Sequence, residues 1–320
     1  MTEDKRFIAA TPAERKQRAV RAGLENYKAY VFSPDLELAI SVARVTGRPL
    51  LLRGTPGCGK STLARDIALS LELRFYQEVI TSHTSARDLL WRFDAVRRLG
   101  DATHDREKAA VLAHYVEPSA LWWAFDPGSA ATRGTGIEGA HAHGIALAID
   151  PGWGPTTKDA GALVLIDEVD KADPDVPNDL LVPLGDNTFR IEETGVPVQC
   201  TRELFVVITT NDERELPPAF LRRCVVAVLD RPPTDRLMQI AREHHPGVDE
   251  ALVIAVEKEA DRFAKESDKV PGARKPGTAE ILDALQACKA YGITNSDHFL
   301  WKQITRLSLW KYDQGGSGTT

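Results

Sequence analysis

Pro49-Leu50-Leu51-Leu52-Arg53-Gly54-Thr55-Pro56-Gly57-Cys58-Gly59-Lys60-Ser61 is the stretch that decides the fold of this chain. Its second half fits the pattern G-x-x-x-x-G-K-[ST] at every fixed position. The apolar run before it reads as a short buried strand, and Thr62-Leu63-Ala64-Arg65-Asp66-Ile67-Ala68 after it reads as a helix. A phosphate cradle needs this strand–loop–helix order. The glycines let backbone N–H groups curl around phosphate oxygens, and the helix points its positive end at the same anion. In such a cradle Lys60 reaches the outer phosphates and Ser61 ligates Mg²⁺. Gly54, Thr55, Pro56, Gly57, Cys58, Gly59, Lys60, Ser61 and Thr62 are therefore the expected cofactor-binding set. A glycine-rich turn that binds nothing is the bland alternative, and the correct flanks speak against it.

Composition sets the class. The 320 residues are 43% hydrophobic and 27% charged, enough for one large or two ordinary soluble domains. A net charge of −6 gives no global pull toward nucleic acid or an anionic membrane. The N-terminus lacks the cationic start and apolar run of a signal peptide, and no stretch is apolar for long enough to span a bilayer. Cys58, Cys200, Cys224 and Cys288 are far apart and form no C-x-x-C, which argues against a disulfide framework or a zinc site. The expected location is cytoplasmic.

Outward from the loop, residues 1–30 read as an N-terminal helix or linker, and Ser33-Pro34-Asp35 as a helix start. A second strand is expected over 74–80, then a helix over 86–99 carrying Leu89, Leu90, Phe93, Val96 and Leu99. Residues 101–159 form an unusually long irregular insert. Trp122, Trp123 and Phe125 within it are either a partner contact or, more in keeping with clustered aromatics, core or subunit interface. Strands follow over 162–166, 204–209 and 225–229, with a hairpin over 189–198. After Arg231-Pro232-Pro233 the pattern is helical, with helices over 235–244, 250–266, 278–291 and 297–312. This predicts an α/β domain over 31–231, an all-α domain over 232–314 and a flexible tail over 315–320.

Leu163-Val164-Leu165-Ile166-Asp167-Glu168 is an apolar strand ending in two acids. A buried parallel strand is apolar throughout and opens at its C-terminal end onto the ligand crevice. Paired with the phosphate loop, Asp167 is expected to hold the metal and Glu168 to polarise the attacking water. Phe205-Val206-Val207-Ile208-Thr209-Thr210-Asn211 is a second strand of this kind. Asn211 could position the water, although a strand-end Asn alone is usually a turn residue. Arg222-Arg223, before the last strand, could stabilise phosphoryl-transfer charge, or could be solvated arginines at a helix end.

In this order and spacing the motifs resemble the AAA+ ATPases, and within them the MoxR-like group, over about residues 30–310. Asp167-Glu168-Val169-Asp170-Lys171-Ala172, followed by Val176-Pro177-Asn178-Asp179-Leu180-Leu181, looks like the MoxR helix after the second nucleotide motif, and Leu216-Pro217-Pro218-Ala219-Phe220-Leu221-Arg222-Arg223-Cys224 like the stretch that carries its arginine finger. The resemblance implies a parallel sheet in order 5-1-4-3-2 with a small all-α lid. It implies ATP and Mg²⁺ as cofactors. It also implies a homo-oligomeric ring, usually a hexamer, in which Arg223 completes the neighbouring subunit's site with Arg222 one step away. MoxR-like proteins often remodel partner proteins, some with a von Willebrand A domain. The family's lid arginine after Ser-Pro is missing here. Arg274 or Lys275, in Gly272-Ala273-Arg274-Lys275-Pro276-Gly277-Thr278-Ala279-Glu280, could substitute.

His141-Ala142-His143 reads as a solvated loop, since no partner stands at metal spacing. His244-His245 reads as a cationic helix end. The thiol of Cys58 is a candidate for oxidation or alkylation. No base-reading Asn-Lys-x-Asp of a regulated GTPase occurs, and the acid pair with the arginines fits hydrolysis better than transfer to a small molecule. The expected function is ATP-driven remodelling of a partner protein. The alternative is a slow ATP-dependent switch or scaffold in a bacterial signalling or defence complex. A DNA-acting motor would need a basic pore loop that the sequence does not place.

Overall fold

The computed structural model describes residues 7–157, 160–270 and 273–310. The expected tail over 315–320, the ends of the 1–30 and 232–314 segments, the last two residues of the 101–159 insert and Gly272 lie outside the described residues. The chain divides into two compact units. One comprises Met1–Glu25, Phe32–Arg53 and Ser61–Val228, the other Asn26–Val31, Gly54–Lys60 and Leu229–Thr320.

The first unit is built on five parallel strands, β1 (Leu50–Arg53), β2 (Arg74–Val79), β3 (Ala162–Asp167), β4 (Leu204–Thr210) and β5 (Val225–Val228). They hydrogen-bond in the order β5-β1-β4-β3-β2, the order the resemblance implies. All six residues of β3 are buried, which explains why it carries no alternation of polar and apolar side chains. The parallel register brings the C-terminal ends of β3 and β4 side by side, with Ile166 opposite Ile208. The acid pair and Asn211 therefore emerge at the same edge of the sheet.

α1 (Pro12–Arg21) and α2 (Pro34–Thr46) precede β1 in the chain, and α3 (Lys60–Leu71) follows the phosphate loop. Thr11 and Glu14 cap α1 reciprocally, and Ser33 caps α2 as its Ser-Pro-Asp start suggests. α1 docks on α3 through a buried ion pair between Arg15 and Asp66, 3% and 0% exposed. Arg18 donates to the carbonyls of Leu69 and Ser70 at 2.8 and 3.0 Å, covering the C-terminal end of α3.

The reading of one helix over 86–99 is corrected. A 3-10 turn (Arg87–Leu89), a strand (Trp91–Phe93) paired antiparallel with Val116–Pro118, and a helix (Ala95–His104) occupy this region. Leu89, Leu90 and Trp91 are buried in succession, which no single helical face allows, while Val96 and Leu99 are 83% and 72% exposed. Asp94 starts the new helix by accepting the N–H of Arg97 at 2.8 Å.

The aromatic segment is core: the helix Ala120–Phe125 is buried at every residue. The hairpin strands Thr188–Arg190 and Pro197–Gln199 lie against this core through Phe189. Trp91 stacks on Phe189 with ring centroids 5.6 Å apart and donates its indole N–H to Glu193 at 2.7 Å.

The second unit has four C-terminal helices, Thr234–His244, Glu250–Ser267, Thr278–Ala290 and Trp301–Leu309. Leu237, Val253, Val256, Ile281, Leu285 and Trp301 are among the residues of their common core. The last helix starts later and ends earlier than the 297–312 pattern suggests. His244 is not the cation expected at a helix end. Burial, with His245 and Lys28 nearby, lowers its pKa to about 4, so it is neutral at pH 7.

Candidate nucleotide site

The phosphate loop is shaped by its glycines. Gly57 and Gly59 have φ of +80° and +95°, a region that side chains other than glycine's enter only at a cost. The Cys58 N–H bonds the Thr55 carbonyl at 3.3 Å and tightens the turn. Lys60 folds its ammonium into the loop, donating to the carbonyls of Gly54 and Thr55 at 2.5 and 3.2 Å. It also lies 3.9 Å from Cys58 Sγ. Burial nevertheless dominates at Cys58 and pushes its thiol pKa up, which disfavours the reactive thiolate.

The start of the helix Thr278–Ala290 lies against this loop within the same unit. The Ala279 N–H donates to the Gly57 carbonyl at 3.1 Å. Glu280 accepts the N–H of Gly277 at 3.0 Å and so caps its own helix. A Cβ on Gly57 would stand 3.2 Å from Glu280 Oε2, so the glycine also permits this approach. Arg274 is exposed and Lys275 pairs with Asp268 at 2.8 Å. The residues that reach the loop are thus Gly277, Ala279 and Glu280.

Ser61 and Thr62 continue from Lys60 into the first turn of α3. The Ser61 hydroxyl donates to Asp167 Oδ2 at 2.8 Å. Gln77 on β2 donates to the same oxygen at 3.2 Å. The Thr209 hydroxyl on β4 donates to Asp167 Oδ1 at 2.5 Å and accepts the Glu168 N–H at 2.9 Å. Asp167, at the end of β3, is thereby held by β2, β4 and α3. A hydroxyl beside a carboxylate is a hard oxygen donor set. It suits Mg²⁺, which takes few protein ligands and completes its shell with phosphate oxygens and water. No cluster of three or more His, Cys, Asp or Glu side chains that could hold a metal occurs among the described residues, His141 and His143 included.

Glu168 has a φ of +62°, a left-handed conformation uncommon for a non-glycine residue, set where the strand breaks into a 3-10 turn (Val169–Lys171). Its Oε1 accepts the Asn211 side-chain amide at 3.1 Å and its Oε2 accepts the Lys171 ammonium at 2.5 Å. That hydrogen bond raises the pKa of Lys171. Asp170, 3% exposed, accepts the backbone N–H groups of Asn211 and Glu213 at 3.1 and 2.9 Å. It fixes the turn after β4 from which Asn211 projects.

The structure thus brings together Ser61, Asp167, Glu168 and Asn211. Arg222 and Arg223 follow the short helix Pro218–Leu221, are exposed, and make no hydrogen bond or ion pair with Glu168 or Asn211 among the described residues. Sequence reasoning missed Gln77, Thr209, Asp170 and Lys171. Thr209, Asp170 and Lys171 stood inside the motifs, but only the pairing of β3 with β4 reveals what Thr209 and Asp170 touch, whereas Lys171 reaches back to Glu168 within its own turn.

The sequence profile of the family described as AAA domain (dynein-related subfamily) matches residues 49–224. No curated protein matches significantly. Among solved structures, a candidate ATPase from Cytophaga hutchinsonii is 14% identical, with 94% of this chain and 90% of that chain covered at a TM-score of 0.43. The RuvB Holliday junction branch migration motor of Thermotoga maritima is 16% identical, with 86% and 66% covered at a TM-score of 0.42. A mutant of the same motor is 15% identical, with 83% and 74% covered at 0.41. No helix among the described residues is long and apolar enough to cross a membrane.

Proposed function

The chain belongs to the AAA domain family, in its dynein-related subfamily, and from that premise we propose that it is a MoxR-like ATPase that hydrolyses Mg²⁺·ATP in a homo-oligomeric ring to remodel a partner protein in the cytoplasm. The observation that carries the chemistry is the cluster at the ends of β3 and β4. There Ser61 and Asp167 lie 2.8 Å apart beside a hydrogen-bonded Glu168 and Asn211. Bound Mg²⁺ supplies charge neutralisation at the phosphates. Ser61 and Asp167 would hold it, and Lys60 would turn from its loop carbonyls to the outer phosphates. Glu168 accepts the proton of the attacking water, Asn211 orients that water, and Arg223 stabilises the developing charge from a neighbouring copy. A partner with a von Willebrand A domain remains the client class suggested by the family.

A second reading, an ATP-dependent switch or scaffold with slow turnover, is favoured by one feature. Both oxygens of Glu168 are already engaged, by Lys171 and Asn211.

Equilibrium binding of a fluorescent ATP analogue, read beside phosphate release, tests the proposal. Lys60→Ala should lose binding. Glu168→Gln should bind normally and hydrolyse about 100-fold or more slowly, the scale of general-base catalysis. Tight ATP binding by Lys60→Ala would overturn the assignment.

A further inference from the structure

We propose that Lys171 restrains Glu168 and sets the basal rate of hydrolysis. The inference rests on the reading of Glu168 as the group that activates water. Lys171 ends the 3-10 turn three residues after Glu168, and Val169 and Asp170 before it are buried. Their burial fixes the backbone from which the lysine reaches back to Oε2 at 2.5 Å. Asp170 fixes the other side by holding the N–H groups of Asn211 and Glu213, so the Asn211 amide meets Oε1 from a rigid turn. The Glu168 N–H is itself committed to the Thr209 hydroxyl. The carboxylate is therefore tied at both oxygens to side chains that project from hydrogen-bonded, buried turns.

To accept a proton from water, Glu168 must present an oxygen in the right direction. Turning the carboxylate breaks one or both of these bonds. The bond to Asn211 is neutral and 3.1 Å long, whereas the bond to Lys171 is charge-assisted and 2.5 Å long. The lysine is the stronger tether. It is also partly solvated, 42% exposed, so the tether is weak enough to release during turnover. Asp170 and Glu213 also face the ammonium and reinforce its charge. Nothing else about the acid pair requires a cation here, since Asp167 is held by Ser61, Gln77 and Thr209.

Lys171→Met keeps the aliphatic stem and removes the donor. In the full-length protein kcat for ATP should rise roughly two- to fivefold, the range that an exposed ion pair is worth. KM and the melting temperature should stay put, and Lys171→Arg should restore the slow rate. The gain should vanish when Glu168→Gln is added, because it passes through that carboxylate. A kcat at or below that of the parent, or a gain that persists with Glu168→Gln, overturns the restraint. If Glu168→Gln alone leaves hydrolysis intact, the reading of Glu168 as base fails as well, and the two failures are told apart by that single variant.

Discussion

Thr209 does the work of a splice between two strand ends. Its hydroxyl is fully buried, donates to Asp167 Oδ1 and accepts the Glu168 N–H. One oxygen thus fixes both the Asp167 carboxylate and the backbone of its neighbour. Thr209→Val preserves shape and removes both bonds. It strands a buried N–H and one carboxylate oxygen, which costs about 1–3 kcal/mol of stability. Urea unfolding should show this as a lower midpoint at unchanged m-value, together with a drop in kcat larger than any change in KM. Unchanged stability would mean that the strand ends are held by the sheet alone. Gln77 acts similarly from β2, with Arg65 on its amide oxygen at 3.2 Å.

At the scale of elements, α1 is the clearest gain over the sequence. Residues 1–30 read only as a charged helix or linker, yet Arg15 and Asp66 form a buried pair and Phe32 lies 5.1 Å beneath the guanidinium. Removing one partner of a buried pair leaves the other charge without compensation. Arg15→Ala should therefore cost about 3–5 kcal/mol, read from chemical denaturation. A cost below about 1 kcal/mol would place it in the range of exposed ion pairs and discount the dock.

The parallel strands and the phosphate loop were legible because burial on both faces forces apolar runs and phosphate binding forces glycines. Asp167, Glu168 and Asn211 were legible as polar residues ending such runs. The 86–99 region was not. Its apolar residues belong to a turn, a strand and a helix in succession, and their spacing mimics one helical stripe. Arg15, Gln77 and Asp170 were silent for a different reason. A charged or amide side chain looks solvated until its partner, 51 residues away for Arg15 and 90 for Gln77, is placed beside it.

For the whole molecule, the proposed ring makes a distinct demand. Arg223→Ala should bind ATP and hydrolyse it poorly, because in the proposed ring this arginine would act on the next subunit. Mixed with Glu168→Gln, it should regain part of the lost activity, since some interfaces then carry an intact Arg223 against an intact Glu168. Phosphate release measured across mixing ratios checks this, and a flat profile at every ratio would exclude shared sites. The stack of Trp91 on Phe189, with its indole N–H on Glu193, has a consequence for such measurements. It joins the strand Trp91–Phe93, which pairs with Val116–Pro118 of the insert, to the hairpin formed by Thr188–Arg190 and Pro197–Gln199. Any shift of that hairpin changes both the ring overlap and the polarity at the indole nitrogen. The chain has six tryptophans, so the part of an emission change during turnover that Trp91→Phe abolishes would report movement of this hairpin, with no label attached.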